Sequence, residues 1–400
     1  MQASLSKSRK YRFPLRSGNR CAMLVDGQAF FGAMLESIDT ARRYIFLEMY
    51  LVESGQVADR FITALIMARG RGVEVYLLLD AFGSYYLHRR DRARLTAAGV
   101  HLALYNALRL TGGRRNLFRN HRKLLLVDGE IAYTGGTGIT DAFDSELDPD
   151  RYWHEGMLAI RGPCVADWHA LFVETWRRWA KIPMGEIAPP AAVPLAEGFP
   201  GRVAVHGHNV ASSEIMRSYL RHIAKSRRRV WLATAYFIPP WKLRRALRRA
   251  LRRAALRGID VRLLLPGPHS DHPEVRHIGS RYYERLLRDG VRIFEYQPRF
   301  IHAKAMLCDN WLSIGSSNAD RWNYRWNLEA NQEVRSPALG ETVAALFQEN
   351  FSESVEIRAV DWHRRSWRRR LREWFWGELA RFFLWLGDRS RGRGGPRDRP

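Results

Sequence analysis

Residues 22 to 180 run in parallel with residues 205 to 350, an internal repeat whose period is far longer than any solenoid unit. In the first copy, Tyr44-Ile-Phe-Leu-Glu-Met-Tyr50 reads as a strand, 58 to 69 carries a helical pattern, and Gly72-Val-Glu-Val-Tyr-Leu-Leu-Leu-Asp80 is a second apolar strand. The second copy keeps that order, with Val230-Trp-Leu-Ala-Thr-Ala-Tyr236, a helix from Trp241 to Arg257, and Gly258-Ile-Asp-Val-Arg-Leu-Leu-Leu265. Ala97-Ala-Gly-Val-His-Leu102 and Arg288-Asp-Gly-Val-Arg-Ile293 then end a helix on glycine and lead into a strand in each copy. Strands alternating with helices imply βαβ units. The expected fold is α/β: two similar halves, each a mixed sheet flanked by helices, packed as a pseudo-twofold pair. Five prolines, Pro183, Pro189, Pro190, Pro194 and Pro200, mark a connector. The divisions are a basic N-terminal segment 1–21, a first half 22–181, a Pro-rich linker 182–204, a second half 205–360 and a basic, Trp-rich appendix 361–400.

Each half contains His-x-Lys-x-x-x-x-Asp: His121, Lys123 and Asp128, then His302, Lys304 and Asp309. One chance match is expected about 0.01 times in a chain of this composition. Two at equivalent repeat positions exclude chance. In a strand, side chains at i and i+2 share a face, so the histidine and lysine can converge on one anion. The apolar run that follows buries the strand, and the aspartate opens a turn that braces the site. Of 65 basic residues only 7 are lysine, and two of these occupy the paired motifs. An ammonium is compact enough to sit beside a histidine over a single phosphoryl group, where a guanidinium fork is bulkier. Bringing the halves together would place His121 and His302 on opposite sides of one phosphorus. One neutral imidazole would attack while the other donates a proton to the leaving oxygen, and the pair would then exchange acid and base roles. The two lysines would stabilise the non-bridging oxygens, so neither a metal nor a cofactor is expected.

These duplicated motifs, each followed by a Gly-Gly or Gly-Ser turn, resemble the phospholipase D superfamily from about residue 22 to 355. His121-Arg-Lys with Gly135-Gly136, the segment 152–163 and Tyr236-Phe-Ile-Pro-Pro240 are most similar to short B-type bacterial cardiolipin synthases. The resemblance implies that Ser316 and Asn318 complete a phosphate pocket, that Glu329 orients a catalytic histidine, and that Glu155 is its first-half counterpart. It also implies His121 as nucleophile and His302 as general acid. Two departures are visible: Gly136 and Gly138 replace Ser316 and Asn318 in the first half, and five rather than six residues separate Asp309 from Gly315. The implied reaction joins phosphatidylglycerol to a second phospholipid through a phosphatidyl-histidine, giving cardiolipin. Hydrolysis to phosphatidic acid, or phosphodiesterase action on nucleic acid, is the alternative within the superfamily, and an idle scaffold is a third class.

Charge and apolar patterning favour lipid. A net charge of +24 suits a polyanionic partner. Leu371, Phe375, Leu379, Phe382 and Leu386 form a helical stripe widened by aromatic residues, with arginines just before it. Trp374, Trp376, Phe382 and Trp385 are therefore the expected membrane contacts. An anionic membrane is the expected partner, phosphatidylglycerol the substrate, and nucleic acid is disfavoured; no sequence signal addresses oligomeric state. The segment 242–253, with Leu243, Leu247 and Leu251 on one face among arginines, reads first as a solvated helix and second as a headgroup contact. Histidines 206, 208, 269, 272 and 277 read as loop or surface residues. Three widely spaced cysteines, no secretory h-region and no charge-free run of 18 residues suggest peripheral attachment at the cytoplasmic face of the cell membrane.

Overall fold

The structure is a computed structural model that describes residues 11–207, 213–239, 241–321 and 323–363, together with 367, 371, 375 and 376. The first half contains β1 (Arg16–Val25), α1 (Asp26–Asp39), β2 (Tyr44–Met49), α2 (Gln56–Gly70), β3 (Glu74–Asp80), α3 (Arg89–Ala97), β4 (His101–Tyr105), β5 (Arg119–Asn120), β6 (Leu124–Val127), β7 (Ile131–Gly135), β8 (Gly156–Arg161) and α4 (Cys164–Trp179). The second contains β9 (Phe199–His206), α5 (Glu214–Lys225), β10 (Arg229–Ala233), β11 (Phe237–Ile238), α6 (Trp241–Leu256), β12 (Asp260–Pro266), α7 (Pro273–Ser280), α8 (Tyr283–Arg288), β13 (Arg292–Tyr296), β14 (Ala305–Cys308), β15 (Trp311–Gly315), β16 (Ala319–Asp320), α9 (Asn323–Trp326), β17 (Asn327–Arg335), α10 (Pro337–Ser352), β18 (Ser354–Ile357) and α11 (Ala359–His363).

The two halves form one sheet, ordered β4-β3-β2-β6-β7-β8-β1-β9-β17-β15-β14-β10-β12-β13-β18. The order mirrors itself about the antiparallel junction of β1 with β9, as a pseudo-twofold axis requires. In each half three strands are parallel, β2-β3-β4 and β10-β12-β13, because helices provide the crossovers: α2 and α3 in the first half, α6 and then α7 with α8 in the second. The other neighbours along this order are antiparallel, while β5 pairs in parallel with β17 and β11 pairs in parallel with β16 in a separate two-stranded sheet. β2 is buried along its whole length, and this continuous burial explains why its sequence is a run rather than an alternation.

Packing divides into three clusters. One lies under α1 and α2 in the first half, and one under α5 and α6 in the second. The third is shared: Trp168, Phe172 and Trp176 of α4 join Phe347 and Phe351 of α10 and residues from both sheet halves. Trp168 and Trp176 are wholly buried, and truncating either to alanine is expected to cost about 3–5 kcal/mol. This shared core, together with the β1–β9 junction, holds the halves in a fixed relation.

Several sequence expectations shift here. β1 begins at Arg16, inside the segment assigned to a basic arm, and pairs with β8 and β9. Phe199 to Ala204, assigned to the linker, belong to β9, whose ladder with β17 runs from Gly201 to His206. His206 is a fully buried residue of β9 beside Tyr324, at 5.4 Å between rings, not a loop residue. Of the expected membrane contacts, Trp376 is half-buried with its ring 5.7 Å from Phe375, while Trp374, Phe382 and Trp385 lie outside the described residues. No helix among the described residues is long and apolar enough to cross a membrane.

Candidate active site

The His-x-Lys segments lie one step ahead of the strands expected to carry them. β6 begins at Leu124 and β14 at Ala305, so His121–Lys123 and His302–Lys304 are extended chain outside their own half's ladder. Their backbones are held by the opposite half instead. β5 pairs in parallel with Asn327 and Leu328 of β17, and the His121 amide donates to Leu328 O at 3.0 Å. In the mirror relation, Ile301 bridges His154, and the His302 amide donates to His154 O at 2.8 Å. The sheet order thus delivers each histidine beside the other half's glutamate.

His121 Nδ1 lies 3.0 Å from Glu329 Oε1, and His302 Nδ1 lies 2.9 Å from Glu155 Oε2. Both glutamates are almost wholly buried, and each orients a histidine from the other half of the repeat. Lys123 Nζ donates to His121 O at 2.6 Å. Lys304 Nζ donates to His302 O and lies 3.0 Å and 3.1 Å from the imidazole nitrogens and 3.4 Å from Glu155 Oε2. The electrostatics join these groups into one centre: His302 senses Lys304, Lys123 and His121, while Lys123 senses Glu329, Lys304 and Glu155.

Burial dominates the ionisation of this centre. It lowers the Lys123 ammonium to about 7 and lowers Lys304 as well. It also lowers His121, against the attraction of Glu329, and drives His302 well down, with Lys304 adding to the effect. The glutamates diverge. Burial alone would raise Glu329, but His121, Lys123 and the Ser316 hydroxyl outweigh it and hold the carboxyl below its usual value. For Glu155 burial prevails over Lys304 and the Gly156 amide, and the carboxyl is raised.

The remaining expected residues divide. Ser316 Oγ donates to Glu329 and also accepts from the Ala330 amide at 3.1 Å, so it belongs to the centre. Asn318 is buried with its Oδ1 3.3 Å from Thr234 Oγ1, holding a loop rather than joining the histidines. Asp128 and Asp309, which share the motif with the histidines and lysines and were expected to open bracing turns, stand at the far ends of β6 and β14. Asp128 accepts from the amides of Arg42, Arg43 and Tyr44 at 2.8, 2.8 and 2.9 Å. Asp309 does the same for Arg227, Arg228 and Arg229 at 2.9, 2.9 and 3.1 Å. Their backbones take positive φ values of 53° and 52° in the hairpin turns, so they fasten the entrance of β2 and β10 and touch no reacting group.

Other residues of the centre escaped the motif. Tyr50 lies 4.7 Å from the His121 ring, with Lys123 Nζ 5.0 Å above its own ring. Around His302 stand Trp153 at 5.3 Å, Phe143 at 5.5 Å, Phe300 at 5.6 Å and Tyr236 at 6.3 Å. Tyr50 and Tyr236 close equivalent strands of the repeat, a signal that could have found them. Gly136 is required by space, because a Cβ there would lie 2.0 Å from Glu155 Oε2 and 2.9 Å from Lys304 Nζ.

Comparison with known proteins agrees with this geometry. The chain matches the family described as cardiolipin synthase, PLD-like domain, over residues 34–163 and 219–354, so both copies of the repeat are matched. It is 34% identical over 370 residues to cardiolipin synthase A of Pseudomonas aeruginosa PAO1, spanning 90% of this chain and 72% of that one. It is 30% identical over 366 residues to the cardiolipin synthase of Geobacillus thermodenitrificans, with the same shares. In fold it is similar to the phosphatidylserine synthase of Haemophilus influenzae, with a TM-score of 0.71 over 95% of this chain and 96% of that one at 12% identity. A duplicated α/β sheet, two His-x-Lys segments brought to one buried centre and these matches lead to one conclusion: the chain is a member of the phospholipase D superfamily, in its cardiolipin synthase PLD-like family.

Proposed function

We propose that this centre transfers a phosphatidyl group from one phosphatidylglycerol to the hydroxyl of a second phospholipid, forming cardiolipin and releasing glycerol. The observation that carries the reading is the crossed pairing of His121 with Glu329 and His302 with Glu155 inside one buried site flanked by Lys123 and Lys304. The relatives named as cardiolipin synthases supply the substrate class.

The unequal glutamates support a division of labour. Glu329 is held as a carboxylate, so it accepts a hydrogen bond from Nδ1–H of a neutral His121 and leaves Nε2 with its lone pair for phosphorus. Burial raises Glu155, and its contact with His302 Nδ1 at 2.9 Å orients that imidazole with Nε2 toward the leaving oxygen. In the first step the His121 Nε2–P bond forms, the P–O bond to glycerol breaks, and the His302 pair protonates the leaving oxygen. In the second, His302 takes the proton from the incoming hydroxyl, whose oxygen bonds to phosphorus as the N–P bond breaks. Lys123 and Lys304 neutralise the non-bridging oxygens throughout. Asp128 and Asp309 take no part.

Attachment is peripheral, at the cytoplasmic face of the membrane. The charge of +24 and the exposure of Trp367, Leu371 and Phe375, spaced four residues apart and each in helical conformation, support this. The decisive experiment incubates the purified protein with phosphatidylglycerol vesicles and follows lipids and protein by mass spectrometry after rapid quenching. Cardiolipin with equimolar glycerol, and a phosphatidyl adduct on the peptide containing His121, are expected. His121→Ala should abolish the adduct and lower turnover by about 10^4-fold or more. Phosphatidic acid in place of cardiolipin would make the enzyme a hydrolase, and an adduct on the His302 peptide would reverse the two roles.

A further inference from the structure

The loops that follow β3 and β4 expose an unusual set of side chains. Phe82, Tyr85 and Tyr86 in the first loop and Leu108, Leu110 and Leu117 in the second are all exposed, Leu110 fully. Solvent-facing apolar side chains are common singly, but six on two adjoining loops are not explained by chance exposure. Arg109, Arg114 and Arg115 stand among the leucines, and residues 106 to 123 contain no acid. One terminal nitrogen of Arg114 is shielded from solvent without a hydrogen-bond partner among the described residues.

Both loops are fastened to the segment that carries His121. Asp80 Oδ1 accepts from the amides of Phe82 and Gly83 at 2.9 and 3.1 Å and from Arg119 Nη1 at 3.2 Å, while Oδ2 accepts from the Asn120 amide at 2.8 Å. Arg119 Nη2 donates to Asn106 O at 3.0 Å, and Asn106 Nδ2 donates to Arg115 O and Phe118 O at 2.5 and 2.8 Å. The loops therefore rise from the end of the parallel strands at which His121 sits, where ligands approach in open α/β sheets. In the nearby acidic loop Asp141 caps the start of α2 at the amides of Gln56 and Val57 and Asp144 pairs with Arg60, while Glu146, Asp148 and Asp150 are exposed. The equivalent loops of the second half differ. Residues 267–272 and 297–301 present no exposed large apolar side chain among the described residues, and Phe300 is buried against His302.

We propose that the loops 81–88 and 106–118 form an insertion edge that enters the headgroup and upper acyl region of an anionic bilayer, with arginine on lipid phosphate and leucine and aromatic side chains below it. The match is chemical: apolar and aromatic tips suit the interfacial layer, interleaved arginines suit its phosphates, and neither loop carries a carboxylate. The edge stands beside His121 and only in the first half, so lipid would reach the centre from that side without leaving the bilayer. This inference rests on the reading that the substrate is a membrane phospholipid.

The test uses the full-length protein and two readouts. Flotation with vesicles of phosphatidylglycerol and phosphatidylcholine measures binding, and turnover is compared between vesicle phosphatidylglycerol and a monomeric short-chain phosphatidylglycerol below its micelle concentration. Replacing Tyr85, Tyr86, Leu108 and Leu110 together by Asp should lower vesicle binding and vesicle turnover about 10-fold, and by Ser about 5-fold, with monomer turnover held within about twofold. A control, Met67→Asp with Val193→Asp, removes exposed apolar side chains elsewhere and should change nothing by more than about twofold. Unchanged binding in the Ser variant, an equal loss in the control, or a parallel loss with the monomeric substrate would each overturn the insertion edge. Should the parent protein turn over neither substrate, the functional reading fails while flotation still decides the edge.

Discussion

The two halves share an architecture and differ at the groups around each histidine. Beside Glu329 stands Ser316, whose hydroxyl donates to the carboxylate; beside Glu155 stands Gly136, whose missing side chain leaves room for that carboxylate and for Lys304. Among the described residues Tyr50 stands against the His121 ring, whereas Phe143, Trp153, Tyr236 and Phe300 surround His302. A duplicated fold thus supplies two equal frames, and small substitutions within them set unequal proton affinities. Two-step phosphoryl chemistry needs that inequality, since one imidazole must be neutral while the other delivers a proton.

The glutamates provide the largest test of this difference. Glu329→Gln removes a charge that His121 depends on and is expected to lower kcat/KM by about 10^2 to 10^3-fold. Glu155→Gln replaces a carboxyl whose charged form burial already disfavours, and a loss of only about 10-fold is expected. Equal losses, measured on phosphatidylglycerol vesicles, would remove the division of labour between the halves.

Exchanging the small neighbours sharpens the comparison. Gly136→Ala forces a Cβ against Glu155 and should cost about 10-fold or more through displacement of His302, whereas Ser316→Ala deletes one hydrogen bond and should cost about 3- to 10-fold. If Gly136→Ala is the milder of the two, space around Glu155 is not what sets the second-half site.

The smallest effect on chemistry belongs to the turn aspartates, at which the halves are alike. Asp128→Asn and Asp309→Asn should each destabilise the fold by about 1–2 kcal/mol and leave kcat within about twofold. Asp309 has a lowered pKa because the amides of Arg227, Arg229 and Arg228 and the Arg228 charge outweigh burial. Its contribution is therefore complete above the ordinary carboxylate value of about 3.9 and disappears as pH falls through the lower folded value. Urea unfolding at pH 7 and at pH 3 should show the Asp309→Asn deficit shrinking in acid. A large fall in kcat at unchanged stability would return these residues to the chemistry.

Much of this was legible in the chain because it depends on short-range pattern. Motif spacing identifies both His-Lys pairs, and the alternation of strands and helices identifies two α/β halves. Glu155 and Glu329 were reachable through family resemblance, but their crossed assignment was not, because it arises from backbone pairing between residues about 150 to 210 positions apart. Asp128 and Asp309 share the motif with the histidines but not the site: spacing records adjacency in sequence, while the four-residue strands β6 and β14 carry the aspartates to the opposite end of the sheet.

By itself the sequence determined the duplication, the residue types able to handle a phosphoryl group and the excess of positive charge, all of which are local or additive properties. Only the tertiary structure decided which glutamate serves which histidine, why Gly136 cannot carry a side chain, and that apolar loop tips gather beside His121. Those features depend on burial and on distances between remote segments, which exist only once the two halves have joined through β1 and β9.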